Sequence, residues 1–205
     1  MNPKPKTTLE RIHEAAAADF LQRGFRKATL RDIAKAAGVT TGALYGYYDS
    51  KEDLFEALVG EAYDTLMRIC SGSEDDLRDL SKSAQLCRME QLEGLCSRQL
   101  LDYVYEHLTA FRLLLCCSEG TRFFGMIDRM VELELAGTRR YQRTLRDLGL
   151  SESSIDPRLE HILVTGMVNA FFELVIHEMT YEQAQTYLSQ MQAFYFAGWK
   201  KIMGR

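Results

Sequence analysis

The sequence predicts an all-α protein: an N-terminal three-helix head with a helix-turn-helix, then a larger C-terminal helical body, about nine helices in all. Three observations carry this. Only 3 prolines interrupt a 205-residue chain that is 46% hydrophobic, a composition suited to helices around a sizeable core. Three hydroxyl residues near the N-terminus are each followed three positions later by an acid, Thr7/Glu10, Thr29/Asp32 and Ser50/Asp53, the pattern of capping boxes. No stretch alternates apolar and polar residues as a strand does, and no repeat is visible.

The first box opens a helix over about Thr8 to Arg23 with Leu9, Ile12, Ala16 and Phe20 on one face, closed by Gly24. The second opens a short helix, about Leu30 to Ala37, stopped by Gly38, and a third short helix follows at about Thr40 to Tyr47. The third box starts a long helix to about Ile69, with Leu54, Leu58, Ala62 and Leu66 as one stripe and Phe55, Val59 and Tyr63 beside it. The polar, acidic segment 71–81 reads as a loop, and helices are predicted over about 82–107, 109–118, 121–148, 157–179 and 181–202. The expected partition is a head at 1–50, a connecting helix at 51–70 and a body at 71–205.

Charge divides along the same line. Residues 1–51 hold nine Lys/Arg against five acids, a balance of +4, whereas the remaining residues hold 16 against 24, a balance of −8. A basic head on an acidic body implies that the head alone meets a polyanion.

Within Leu30 to Tyr48 the spacing is that of a helix-turn-helix. Ile33 and Ala37 point inward, Ala34 is small where two helices cross, Gly38 makes the turn, and Val39 and Leu44 fill the space between. The outer face of the third helix then presents Thr40, Thr41, Gly42, Tyr45 and Tyr47, with Lys51 just beyond, in position to enter a major groove. A capped, glycine-broken helix pair also occurs in bundles that touch no DNA. The combined run of Thr40, Thr41, Gly42, Leu44, Tyr45, Tyr47, Tyr48, Ser50, Lys51 and Glu52 distinguishes the two readings.

That run, TLRDIAKAAGVTTGALYGYYDSKEDLF from Thr29 to Phe55, resembles the DNA-binding signature of the TetR family of bacterial transcriptional regulators. The resemblance is close over about the first 60 residues and returns in the closing segment FYFAGWKKIMG. It implies a cytoplasmic homodimer on a palindromic double-stranded operator, released by a small-molecule effector, most simply a repressor, with an activator of the same fold as the alternative. Carried over position by position, Thr29, Tyr47 and Lys51 hold phosphates. Thr40, Thr41, Gly42 and Tyr45 face bases or adjacent phosphates, and Arg31 lies among the DNA contacts. Tyr48 stands where the family usually has Phe, so its ring packs inward and its hydroxyl needs a partner.

In the body, Leu159 to Val175 is apolar nearly all round, with Gly166 and Ala170 four residues apart, so it needs burial on two sides. One side suits the subnit's own core and the other a symmetric partner. The expected interface comprises Leu163, Gly166, Ala170 and Phe171, with Tyr195, Gly198 and Trp199 from the closing helix. Candidate effector contacts are Tyr103, His107, Arg112 and Cys116, lined by Phe123, Phe124 and Met130. Arg112, set among apolar neighbours, is expected to pair with a carboxylate of the protein itself.

Other chemistries find no support. The five cysteines (Cys70, Cys87, Cys96, Cys116, Cys117) form no CxxC pair, and Cys116 and Cys117 read as core thiols. The four histidines show no HxxxH or HExxH spacing, so no metal and no cofactor are implied. A helical hydrolase or di-metal enzyme lacks its GxSxG or paired ExxH motifs. No segment is read as a membrane span.

Overall fold

A computed structural model describes residues 5–71, 84, 98–150 and 155–203. The expected loop at 72–81 and most of the helix expected at 82–107 lie outside these residues. Besides the single helical position at residue 84, the described residues contain nine helical segments and no strand. They are α1 (Thr8–Lys27), α2 (Leu30–Ala36), α3 (Thr41–Tyr45), α4 (Lys51–Ser71), α5 (98–106), α6 (Leu108–Cys116), α7 (Met126–Asp147), α8 (Pro157–Ile176) and α9 (Tyr181–Ile202).

The chain forms two compact units, residues 1–65 with 107–126, and residues 66–106 with 127–205. The first contains a segment from the second half of the chain that a linear partition at residues 50 and 70 leaves out. Its core explains why. Phe55 of α4 packs edge-on against Phe20 (5.1 Å between ring centroids) and Phe25 (5.3 Å), and Phe123 closes on Phe55 (6.1 Å) and Tyr63 (5.2 Å). Edge-to-face rings add directional attraction to area burial. Backbone and ions fix the same segment: the Phe25 amide donates to the Cys117 carbonyl (3.1 Å), and Arg122 forms a two-pronged ion pair with Glu56.

Helix ends follow their caps. Thr7 and Glu10 complete a reciprocal box, with the Glu10 amide donating to Thr7 Oγ1 (3.2 Å) and the Thr7 amide to the Glu10 carboxylate (2.6 Å). Thr29 and Ser50 accept from the amides of Asp32 (3.2 Å) and Asp53 (3.0 Å). A further box, Thr180/Gln183, opens α9. Gly24 sits at φ 75°, so α1 bends there and resumes to Lys27 instead of ending at Arg23. Gly125, at φ 85°, delays α7 to Met126, leaving 121–125 as turns where a helix was expected from residue 121.

The second unit is held by α7, α8 and α9 with α5. Glu160, buried in the first turn of α8, accepts from Arg139 Nε (3.1 Å) and Gln142 Nε2 (2.8 Å) of α7, so its charge is compensated. Tyr105 donates to the Met179 carbonyl (2.8 Å), and Tyr181 to Asp102 (2.5 Å), tying α5 to the turn between α8 and α9. Leu145 and Met203 are buried against Tyr141, Leu148, Ile155 and Trp199.

Helix α8 corrects one expectation. It is long and apolar enough, by length and composition, to cross a membrane, with a mean hydropathy of 1.5. Its sides differ, however: Val164, Val168, Phe171, Phe172, Leu174 and Val175 are buried, whereas Leu159 and Ile162 (64% exposed) are open. On α9 only Ala184 and Leu188 are buried, and Phe194 is 74% exposed. Leu9 is likewise exposed, although its helical register matches the buried Ile12, Ala16 and Phe20.

Candidate nucleic-acid interface

The helix pair α2–α3 is built as the sequence requires. Ile33, Ala34 and Ala37 of the first helix and Leu44 of the second are buried. Between them Gly38 adopts φ 67°, a conformation costly to residues with a Cβ. Arg11 locks this corner by donating to the Ala37 carbonyl (3.1 Å) from Nη1. Thr40 caps α3, accepting from the Ala43 amide (3.1 Å).

Helix α3 is only five residues long, shorter than the predicted Thr40 to Tyr47, because Gly46 follows and the Gly46 and Tyr47 amides turn back to the Ala43 and Leu44 carbonyls. Its outward side is open: Gly42 has no neighbour within 4 Å of where a Cβ would stand, and Tyr45 and Tyr47 are 53% and 49% exposed. Beside it runs an open groove of about 620 Å³ lined by Thr29, Arg31, Asp32, Lys35, Val39, Thr40 and Thr41.

Four of the eight expected DNA contacts, Thr29, Arg31, Thr40 and Thr41, therefore meet in one groove, with Gly42 and Tyr45 on the helix beyond and Tyr47 in the turn that follows it. The Thr29 hydroxyl is engaged as a cap and donates to Asp32 (2.9 Å). Lys51 is engaged within the protein in this structure. Its ammonium is turned into the protein, donating to the carbonyls of Phe25 (2.7 Å) and Ala28 (3.1 Å), with the Phe25 ring centroid 4.4 Å away. The last carbonyls of a helix lack intrahelical donors, and a cation beside them answers both that deficit and the helix dipole. Lys35 was not singled out from the sequence, because a lone lysine on a polar helix face carries no signal until the groove is seen.

Tyr48 finds the partner its hydroxyl needs in His13 Nε2, at 2.5 Å. Burial pushes the His13 pKa down from its ordinary value and the Tyr48 pKa up.

The expected effector contacts are divided between the units: His107, Arg112, Cys116, Phe123 and Phe124 belong to the first, Tyr103 and Met130 to the second. Phe123 is a core residue of the first unit, beneath Arg122 (4.3 Å from guanidinium carbon to ring centroid), while Phe124 is 68% exposed. Cys117 is buried, which pushes its thiol pKa up, but Cys116 is exposed, so the pair is not two core thiols. Adjacent helical residues point to different faces, and only one face here is covered.

A capped helix pair broken at a left-handed glycine, with open hydroxyls on its second helix, defines a helix-turn-helix protein. Residues 12–58 match the family model described as bacterial regulatory proteins, tetR family. It is 38% identical over 104 residues to the transcriptional regulator TtgR of Pseudomonas putida, a match covering 49% of this chain and 42% of that protein. It is 30% identical over 118 residues to the transcriptional repressor KstR2 of Rhodococcus jostii, covering 49% and 58%. These matches thus span about half the length of the relatives. Over 93% of this chain and 95% of the other, the fold is similar to that of the TetR family regulator PfmR from Thermus thermophilus (TM-score 0.56, 21% identity).

Proposed function

We propose that the protein is a ligand-responsive transcriptional regulator of the bacterial cytoplasm, a homodimer that represses transcription from a palindromic operator and leaves it when a small molecule binds. The observation that carries the reading is the open groove of Thr29, Arg31, Lys35, Thr40 and Thr41 beside the exposed Tyr45 and Tyr47. It joins hydroxyls and cations on a helix pair whose second helix is short, capped and unobstructed. Phosphate contacts there set register, and the few base contacts from α3 set sequence.

Dimerisation is supported by the apolar residues that α8 and α9 leave open, among them Ile162 and Phe194. Leu163, Gly166 and Ala170 lie on the same helix as the first, and Tyr195, Gly198 and Trp199 follow the second. Exposed apolar side chains on both helices suit an association face. A two-fold pairing gives the two α3 helices of a dimer the symmetry of a palindrome. The relatives named as repressors, and the regulators among solved folds, favour this reading over an enzyme.

The deciding experiment is to pass fragmented genomic DNA over the purified protein at low salt and sequence what is retained. Enrichment of a shared inverted repeat near a promoter supports the reading. Retention that follows fragment length alone, or none at all, defeats it.

A further inference from the structure

Helix α7 divides into two faces. Glu132, Ala136, Arg139 and Arg143 are exposed, whereas Met130, Val131, Thr144 and Leu145 are buried. At the helical period Glu134 falls at the centre of the buried face, one turn beyond Met130 and Val131. It keeps some accessible surface, yet burial pushes its pKa up. It has no hydrogen bond or ion pair among the described residues. A side chain that is both reachable and desolvated lines a recess, not an outer surface.

Two further observations agree. Gly137 lies on the same face, between the buried Met130 and the buried Thr144, and nothing stands within 4 Å of where its Cβ would be. The inner face is thus open in its middle and covered at both ends. On α8 the hydroxyl of Thr165 is buried without a hydrogen-bond partner. Thr165 follows Glu160, and Glu134 precedes Arg139, by the same interval from the ion pair that joins the two helices, about 7.5 Å along each axis. An unpaired polar group in a desolvated place is costly whether or not it carries charge, so both groups require a ligand. Glu160, by contrast, is already answered by Arg139 and Gln142.

We propose that the second unit holds an effector site at the middle of α7, in which Glu134 takes the positively charged nitrogen of an organic amine or quaternary ammonium ion. The inference rests on the ligand-responsive reading and names the class of ligand. A carboxylate set among apolar side chains attracts a cation whose remaining surface is apolar and repels an anion. A metal ion is a poor occupant, since it needs several donors and the described residues contain no group of three His, Cys, Asp or Glu that could hold one.

The test compares matched compounds by thermal melting of the full-length protein. One set comprises aromatic amines and quaternary ammonium ions, the second their neutral carbon isosteres (tert-butylbenzene against phenyltrimethylammonium, for example), the third carboxylates of similar shape. Cations should raise the wild-type Tm with increasing concentration, and the other two sets should not. In Glu134→Gln, which keeps the shape and loses the charge, cations should bind about ten- to a hundredfold more weakly. Glu134→Asp, which keeps the charge, should retain part of the effect. Without ligand, Glu134→Gln should melt no lower than wild type, because no protein partner is lost; a structural carboxylate would lower it. A lower Tm for that variant, equal shifts in variant and wild type, or no shift by any cation overturns the assignment. Neutral or anionic compounds that shift both proteins alike overturn it too, but leave a ligand-responsive regulator. Retention of genomic fragments decides the DNA-binding part of that reading independently.

Discussion

The hydroxyl of Tyr48 lies 2.5 Å from Nε2 of His13, 35 positions earlier, and joins the end of the helix-turn-helix to the middle of α1. Helix α3 is held to the core by Leu44, contains Gly42 and is followed by Gly46, so this bond is a second anchor beyond its C-terminal end. Tyr48→Phe keeps the ring and removes the bond. The expected cost is about 0.5–1.5 kcal/mol in urea unfolding. A double-mutant cycle with His13→Ala should show coupling of the same order, and additive effects would mean the bond contributes nothing.

The same pair gives a pH dependence. Burial lowers the His13 pKa in the folded state, so below its ordinary value near 6.5 the unfolded chain takes up a proton that the folded chain resists. Stability is therefore complete above about pH 6.5 and declines as pH falls through the region between the ordinary and the lowered pKa. Melting temperatures of wild type and His13→Gln should converge or cross as pH falls from about 7.5 towards 5.5. Parallel curves rule out His13 as the titrating group.

Phe123 separates a packing role from a ligand-contacting one. Its ring is buried against Phe55, Tyr63 and Arg122, so Phe123→Ala should destabilise by about 3–5 kcal/mol. Phe124→Ala, at an exposed position one residue on, should cost less than about 0.5 kcal/mol. Thermal melts of the two variants check the contrast, and equal losses contradict this packing.

These elements show how far the sequence can be read. The caps at Thr7, Thr29 and Ser50 and the turn at Gly38 were legible because each is a local rule, decided within a few residues. The need of Tyr48 for a partner was legible too, but not that His13 meets it, since the chain between them must first fold. The inward contacts of Lys51 were not legible for the same reason: its position beside α3 is local, whereas the carbonyls it caps belong to α1. The membership of 107–126 in the first unit was invisible because the aromatic cluster of Phe20, Phe25, Phe55 and Phe123 is assembled from distant segments.

The dimer proposed for α8 and α9 predicts twice the chain mass of 23.5 kDa in light scattering at micromolar concentration. Phe194→Asp places a charge on an exposed apolar ring position, harmless to a monomer and costly in a desolvated interface. It should shift the mass toward that of one chain while circular dichroism stays helical. A wild type that is monomeric throughout removes the interface and, with it, the two-headed grip on a palindrome.

The proposed response to an effector can be tested by reciprocity. Two α3 helices read successive major grooves only when about one turn of DNA apart, roughly 34 Å. Helix α4 carries the chain from the first unit at Thr65 to the second at Leu66, so a ligand that reorients it changes that spacing. The ligand shifts the equilibrium only by its differential affinity for the two arrangements, typically 1–3 kcal/mol, or about 5 to 150-fold in operator affinity. Because the coupling is one free energy shared by both sites, saturating operator must weaken the ligand by the factor with which saturating ligand weakens operator. Calorimetric titration of each in the presence and absence of the other measures both factors. Equal factors establish a two-state regulator; a factor seen from one side alone would falsify it.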